Sequence, residues 1–229
     1  MKLEVCANSF LSAKNAQEAG AHRIELCQEL SVGGITPSYG LLKKATENLT
    51  IETFVLIRPR SGNFQYSEAE FDIMRKDIEL CKQLCCQGIV TGVLNMDYTI
   101  DIERTRELVE LSKPMSFTFH RAFDIVPDPE TALEQLIKLG VDRILSSGQA
   151  KKAVEGIELL ERLKEKAKDN LIILPGGGVT SENARLFKEA GFQEIHASAS
   201  SYITNNERIF NEPITFSDYQ KIKDILEII

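Results

Sequence analysis

Eight short apolar runs recur along the chain, and what separates them constrains the fold more than any other feature. They are Lys2–Ala7, Arg23–Cys27, Thr53–Arg58, Gly88–Leu94, Pro114–Arg121, Val141–Ser147, Leu171–Pro175 and Glu194–Ser198. Each is short and rich in Val, Ile, Leu or Phe, as a strand buried by helices should be. Helical patterns with their own start and stop signals fill the gaps. Ser9-Phe10-Leu11-Ser12 offers a cap before Ala13–Ala19, and Gly20 stops that segment. Ser67-Glu68-Ala69-Glu70 has the Ser-x-x-Glu form of a capping box, ahead of a helix running to Cys86. Pro127-Asp128-Pro129 opens a helix that ends at Leu139-Gly140, and Ser181–Ala190 closes at Gly191 in the same way. Segments 18–25, 138–145 and 188–195 are near-echoes, each a helix end, a glycine stop and a strand start.

Strand and helix alternating eight times predict an α/β fold, a (β/α)₈ barrel of TIM type. The 229 residues suit one such barrel as a single domain over 1–229, with 217–229 a covering C-terminal helix. No Pro/Gly/Ser linker, low-complexity tract or long charge run divides the chain. A doubly wound sheet could be cut from the same alternation. However, the first strand is followed by Asn8-Ser9-Phe10-Leu11 rather than by a glycine-rich dinucleotide turn.

Composition narrows the function classes. A net charge of -7 supplies no basic face for nucleic acid and nothing for an anionic membrane surface. No apolar run approaches the length of a spanning helix. Glu4 interrupts the apolar stretch an export signal would need, so a cytoplasmic location is expected. Five cysteines at these spacings form neither a disulfide framework nor a zinc ribbon, and they are expected reduced.

Polar residues then appear where barrel strands should be apolar. Alternate strand positions face the interior. Glu4 and Cys6 share a face of the first strand, as Glu25 and Cys27 do in the second. This predicts two carboxylates in one layer and two thiols in a layer nearer the mouth. Arg58 ends the third strand with Arg60 just beyond. His120 ends the fifth, followed by Arg121 and Asp124, and His196 and Ser198 line up in the eighth. Buried charges need partners, and Arg23, Arg58 and Arg143 are available to Glu4 and Glu25. The two glutamates therefore fit either an internal ion network or a share in catalysis.

Active sites of these barrels lie at the carboxyl ends of the strands, which favours a functional reading for Arg58 and His120. Gly176 and Gly177 end the seventh strand, Ser146-Ser147-Gly148-Gln149 the sixth, and Ser198 to Ser201 follow the eighth. Such loops can bind phosphate through backbone N–H groups, or can be tight turns with no ligand. A Schiff-base aldolase lacks a lysine at a strand end, and three histidines supply a binuclear hydrolase poorly. A mononuclear site from Glu25, His120 and His196 stays open. Cys81 and Cys85, one helical turn apart with Cys86 adjacent, could share a ligand or simply pack.

Six segments stand in order along the chain: Leu-Glu-Val-Cys (3–6), Arg-Ile-Glu-Leu-Cys (23–27), Gly-Gly-Ile-Thr-Pro-Ser (33–38), Ile-Arg-Pro-Arg-Ser-Gly-Asn-Phe (57–64), Thr-Phe-His-Arg-Ala-Phe-Asp (118–124) and Ile-Leu-Pro-Gly-Gly-Gly-Val (173–179). Together they resemble the CutC family of copper homeostasis proteins. One departure is Ser61, where the family commonly has glycine. The resemblance implies a TIM barrel, a cytoplasmic homodimer, an association with copper tolerance and trafficking, and Cu(I) ligands falling on Cys6 and Cys27.

Two functions are thereby expected in competition. One is copper handling, with Cu(I) between the thiols of Cys6 and Cys27, which as soft donors select that ion. The other is an enzyme on a small anionic metabolite, phosphorylated or carboxylated. There Arg58 and Arg60 clamp the anion and His120 moves the proton, oriented by Glu25 or Glu4.

Overall fold

In the computed structural model, which describes residues 1–204 and 212–229, parallel strands and helices alternate along the chain. β1 (Lys2–Ala7) leads to α1 (Phe10–Ala19), β2 (Arg23–Leu26) to α2 (Tyr39–Asn48), and β3 (Glu52–Leu56) to α3 (Glu68–Gln83). β4 (Gly88–Thr91) leads to α4 (Ile102–Ser112), and β5 (Ser116–Phe119) to α5 (Pro129–Leu139). β6 (Arg143–Ser146) leads to α6 (Ile157–Ala167), and β7 (Ile172–Pro175) to α7 (Ala184–Glu189). After β8 (Glu194–Ala197) come a hairpin, β9 (Ser200–Ile203) with β10 (Ile214–Ser217), and then α8 (Tyr219–Ile228).

β1 pairs in parallel with both β2 and β8, and neighbouring strands pair in sequence from β1 to β7. A parallel bridge between Gly176 and His196 joins β7 to β8 and closes the (β/α)₈ barrel. Local chemistry explains most boundaries. Ser9 caps α1 by accepting from the Ser12 N–H, and Gly20 takes the left-handed φ of 89° that ends it. Ser67 and Glu70 form the reciprocal capping box of α3. Asp128 caps α5 with Pro129 in its first turn, and Gly140 ends it.

α7 departs from expectation, beginning at Ala184 rather than Ser181. Its would-be first turn is occupied by Asn183, whose amide accepts from the Thr180 N–H and donates to the Gly178 carbonyl. The outer strand face and the inner helix faces make one apolar layer, with Leu3, Ile24, Val55, Ile89, Phe117, Ile144 and Ile195 buried against Ala16, Met74, Leu108, Leu133, Leu160 and Phe187. Full burial of each large apolar side chain is worth roughly 1.5–3 kcal/mol.

Two expectations are corrected here. Residue 217 belongs to β10, and the last helix starts at Tyr219 behind an Asp218 cap. The hairpin is held against the first βα unit. Ser217 donates its hydroxyl to the Cys6 carbonyl and its N–H to Ser12 Oγ, while Asn15 Nδ2 donates to the Ser217 carbonyl.

The second correction concerns register. Glu4 stands beside Arg23 and Cys6 beside Glu25, so the two carboxylates do not share a row and neither do the two thiols. A closed barrel requires staggered strands, and the stagger shifts β2 by one pleat against that expectation. Among the described residues, no helix is long and apolar enough to cross a membrane.

Candidate functional site

The barrel interior divides into a sealed polar layer and an open one above it. In the sealed layer Arg23 donates Nε to Glu4 Oε2 at 2.5 Å and Nη2 to Glu194 Oε2 at 2.6 Å. Arg143 reaches the same Glu194 oxygen at 3.0 Å. The Phe54 ring lies 4.5 Å from the Arg23 guanidinium and 5.3 Å from that of Arg143. Burial works to raise the Glu4 carboxyl, but Arg23 and His196 outweigh it and hold the group down to about 2. Glu194 is lowered for the same reason, against its burial, by Arg23 and Arg143.

Arg23 and Arg143 were expected partners, although Arg143 serves Glu194 alone and Arg58 plays no part. Glu194 was not foreseen. Its signal is available in retrospect: it lies two residues before His196, on the same strand face.

Above this layer, Glu4 Oε1 and His196 Nδ1 are 2.7 Å apart, and His196 Nε2 faces Glu25 Oε2 at 3.5 Å. Burial opposes charge on His196, but hydrogen bonds with Cys6 and Glu4, and the carboxylate of Glu25, raise it well above the usual imidazole range. Burial pushes Glu25 up to about 7, with His196 pulling against it and Glu4 adding to it. The Sγ atoms of Cys6 and Cys27 are 3.5 Å apart. The Cys27 thiol and burial both push the Cys6 thiol up.

Cys27 lies fully buried under the loop after β2, and does not line the mouth. Gly34 makes that cover possible. It has a φ of 86°, and a Cβ there would sit 2.7 Å from Leu56 Cδ2 and 3.5 Å from Cys27 Cβ.

A cavity of about 420 Å³ opens above Cys6, Glu25 and His196, and Arg58, His120 and Arg121 also line it. His120 is packed against Phe64 and Phe119, with ring centroids at 4.7 and 6.1 Å. Its Nδ1 accepts from the Ala122 N–H, which assigns the ring proton to Nε2, an atom with no partner among the described residues. Burial, then the charge of Arg58, lowers its pKa to about 3, so the ring is neutral at pH 7. Glycine at position 92 is required, because a Cβ there would lie 2.6 Å from His120 Nδ1.

The expected orientation of His120 by Glu25 or Glu4 is not formed. Glu4 is taken by Arg23 and His196, and Glu25 faces His196.

The arginines divide. Arg58 lines the cavity, yet its Nη1 donates to the carbonyls of Val32 and Gly34 and its Nη2 to that of Gly62, leaving Nε without a partner among the described residues. Arg60 points away. It pairs with Glu70 at 2.5 Å and donates to the carbonyls of Ser61, Asn63 and Gln65, so it does not join Arg58 in an anion clamp.

Asp124 faces the cavity but also latches the loop after β6, accepting from Ser146 Oγ, Ser147 N and Arg121 Nε. Gly177 and Ser198 line the cavity, whereas Gly176 is the bridge residue between β7 and β8. The glycine turn is not backed by a helix N-terminus, since α7 starts only at Ala184. Away from the mouth, Cys81 and Cys86 are buried in the outer core while Cys85 is exposed beyond the end of α3, so Cys81 and Cys85 do not share a face.

His/Cys/Asp/Glu ligand atoms that come within 4.8 Å of one another in a group of three belong, among the described residues, to Cys6, Glu25 and His196. Cys6 takes the place expected of His120 in that group.

The comparisons with known proteins agree with this architecture. The model of the CutC family matches residues 1–201. A CutC family protein of Chromobacterium violaceum is 49% identical over 207 residues, covering 90% of this chain and 84% of its own. A human protein named copper homeostasis protein cutC homolog is 42% identical over 234 residues, covering 99% and 86%. The crystal structure of a CutC protein from Streptococcus agalactiae superposes with a TM-score of 0.82 at 36% identity, covering 86% of this chain and 98% of that one. The barrel, its paired thiols and these matches together make the chain a member of the CutC family.

Proposed function

We propose that this protein handles copper by holding Cu(I) between Cys6 and Cys27. The observation that carries the reading is the 3.5 Å separation of the two Sγ atoms, Cys6 on β1 and Cys27 just past the end of the neighbouring β2. Two thiolates make a soft donor pair suited to Cu(I) over harder ions. Cys6 borders the cavity, which gives the ion a way in, while Cys27 lies beneath with Leu56, Phe54 and Val90 around the pair. The name of the human relative supports the same reading.

The test is titration of reduced protein with Cu(I) against a competing chelator. Cys6→Ser and Cys27→Ser should each weaken binding by about 100-fold or more, about 2.7 kcal/mol. Equal affinity in the double variant would end the proposal.

A second reading, an acid/base enzyme on a small anionic metabolite, is favoured by one observation: His120 is buried and neutral at the wall of the cavity, and its Nε2 has no partner among the described residues. Such a group is a hydrogen-bond donor waiting for an oxygen ligand. Arg121 adds positive charge at the rim, half-exposed. In a thermal-shift panel of small phosphates and carboxylates, at least one should raise the melting temperature of the wild type and not of His120→Gln. A flat panel would count against this reading.

A further inference from the structure

We infer that the mouth of the barrel contains a second metal site, for a divalent ion of the zinc class, built from Cys6 Sγ, a Glu25 carboxylate oxygen and His196 Nε2. This site shares Cys6 with the Cu(I) pair but does not use Cys27, so the two ions would compete for one thiolate.

Geometry is the first argument. One ligand atom from each of the three residues lies within 4.8 Å of the others, and all three side chains border the same cavity. A thiolate, an imidazole nitrogen and a carboxylate oxygen are the three donor types that tetrahedral zinc accepts.

The orientation of His196 is the second argument. Its Nδ1 lies 2.7 Å from Glu4 Oε1, and Glu4 is itself held by Arg23 at 2.5 Å. A ligating histidine is normally fixed in this way, one ring nitrogen bonded to a carboxylate and the other turned to the ion. Nε2 is the other nitrogen, and it is turned to Cys6 and to Glu25, 3.5 Å from Glu25 Oε2. Glu4 is thus a positioning residue.

The charge balance is the third. Arg23 and Arg143 are committed to Glu4 and Glu194, and among the described residues no Lys or Arg pairs with Glu25. A buried carboxylate left without a lysine or arginine is a natural ligand for a cation.

A fourth, independent observation points to what the ion would do. Three protein ligands leave a tetrahedral ion one open position, the arrangement of catalytic rather than structural zinc sites. All three ligand residues line the cavity, and on its wall is His120, 5% exposed, with Nε2 lacking a partner among the described residues. The ligand expected at the open position is an oxygen of a small molecule, with the His120 N–H as a donor nearby.

The test is titration of reduced, metal-stripped protein with Co²⁺ as a coloured stand-in for Zn²⁺. Wild type should bind one ion, with tetrahedral d–d bands and a thiolate charge-transfer band. Cys27→Ser should behave like wild type in this titration while losing Cu(I), which separates the two sites. Cys6→Ser should lose the charge-transfer band. Glu25→Gln and His196→Gln should weaken Co²⁺ by about 100-fold or more, and Glu4→Gln by about 10- to 100-fold. Zn K-edge absorption on the loaded wild type needs no variant, and should show one sulfur with nitrogen and oxygen neighbours. A shell of two sulfurs, a shell of none, or loss of Co²⁺ in Cys27→Ser to the same degree as in Cys6→Ser would overturn the site.

Discussion

Two polar layers occupy the same barrel a few residues apart along the same strands, and they are built differently. In the lower one every carboxylate meets a cation. Glu4 has Arg23 and His196, and Glu194 has Arg23 and Arg143, all within 3.0 Å. In the upper one Glu25 meets His196 at 3.5 Å, Nε2 of His120 and Nε of Arg58 lack partners among the described residues, and two thiols face each other. The lower network, with each carboxylate paired and Arg143 Nη1 its one buried guanidinium nitrogen without a partner among the described residues, does the work of structure, filling the barrel and fixing its side chains. Buried polar atoms without partners cost stability, so their persistence at the mouth marks a place kept for a ligand.

This contrast can be broken at either layer. The larger effect is expected below. Arg23→Met leaves Glu4 and Glu194 short of charge and should cost about 3–5 kcal/mol in urea unfolding at pH 7, the range for breaking a buried ion pair. A loss under about 1 kcal/mol would show the lower layer to be dispensable and remove the distinction.

The smaller effect sharpens the upper layer and depends on pH. His120 is depressed to about 3 in the fold by burial and Arg58, from an ordinary 6.5. Above pH 6.5 the ring is neutral in both folded and unfolded chain, and the contribution is fully present. As pH falls from 6.5 toward 3 the unfolded chain takes the proton first, and stability drops by about 1.4 kcal/mol per unit. At pH 5 the drop relative to pH 7 should be about 2 kcal/mol, and His120→Gln should lack that component. Parallel stability profiles for wild type and variant between pH 7 and pH 5 would refute the neutral, unpartnered histidine.

The fold was legible because its signals are local. All eight strands lie where apolar runs were read, and Ser67 and Glu70, Asp128, Gly20 and Gly140 act at the helix ends where their chemistry places them. The strand ends were read too long. Cys27, Arg58 and His120 have strand-like neighbours yet lie past the ladder, in the turns that form the mouth. The hairpin of β9 and β10 went unread because Ser200 to Ile203 and Ile214 to Ser217 are short and find each other across a long gap.

At the site, Cys6, Glu25, Arg58, His120, Arg121, Asp124, Gly177, His196 and Ser198 do converge on one cavity. Arg60 looked equivalent to Arg58 in the sequence, two residues along. A single turn sends it to Glu70 and to backbone carbonyls instead.

The sequence by itself determined which residues alternate inward, where the eight barrel strands lie, and that carboxylates, thiols and histidines share the barrel interior. Periodicity and capping are properties of a few neighbouring residues, so they can be read without coordinates. Only the tertiary structure decided who meets whom. The stagger of the closed sheet placed Cys6 beside Glu25, and the return of β8 to β1 brought Glu194 and His196 to Arg23 and Glu4 from the far end of the chain. Register between strands is set by closing the whole barrel, a condition on all eight strands at once that no single segment carries.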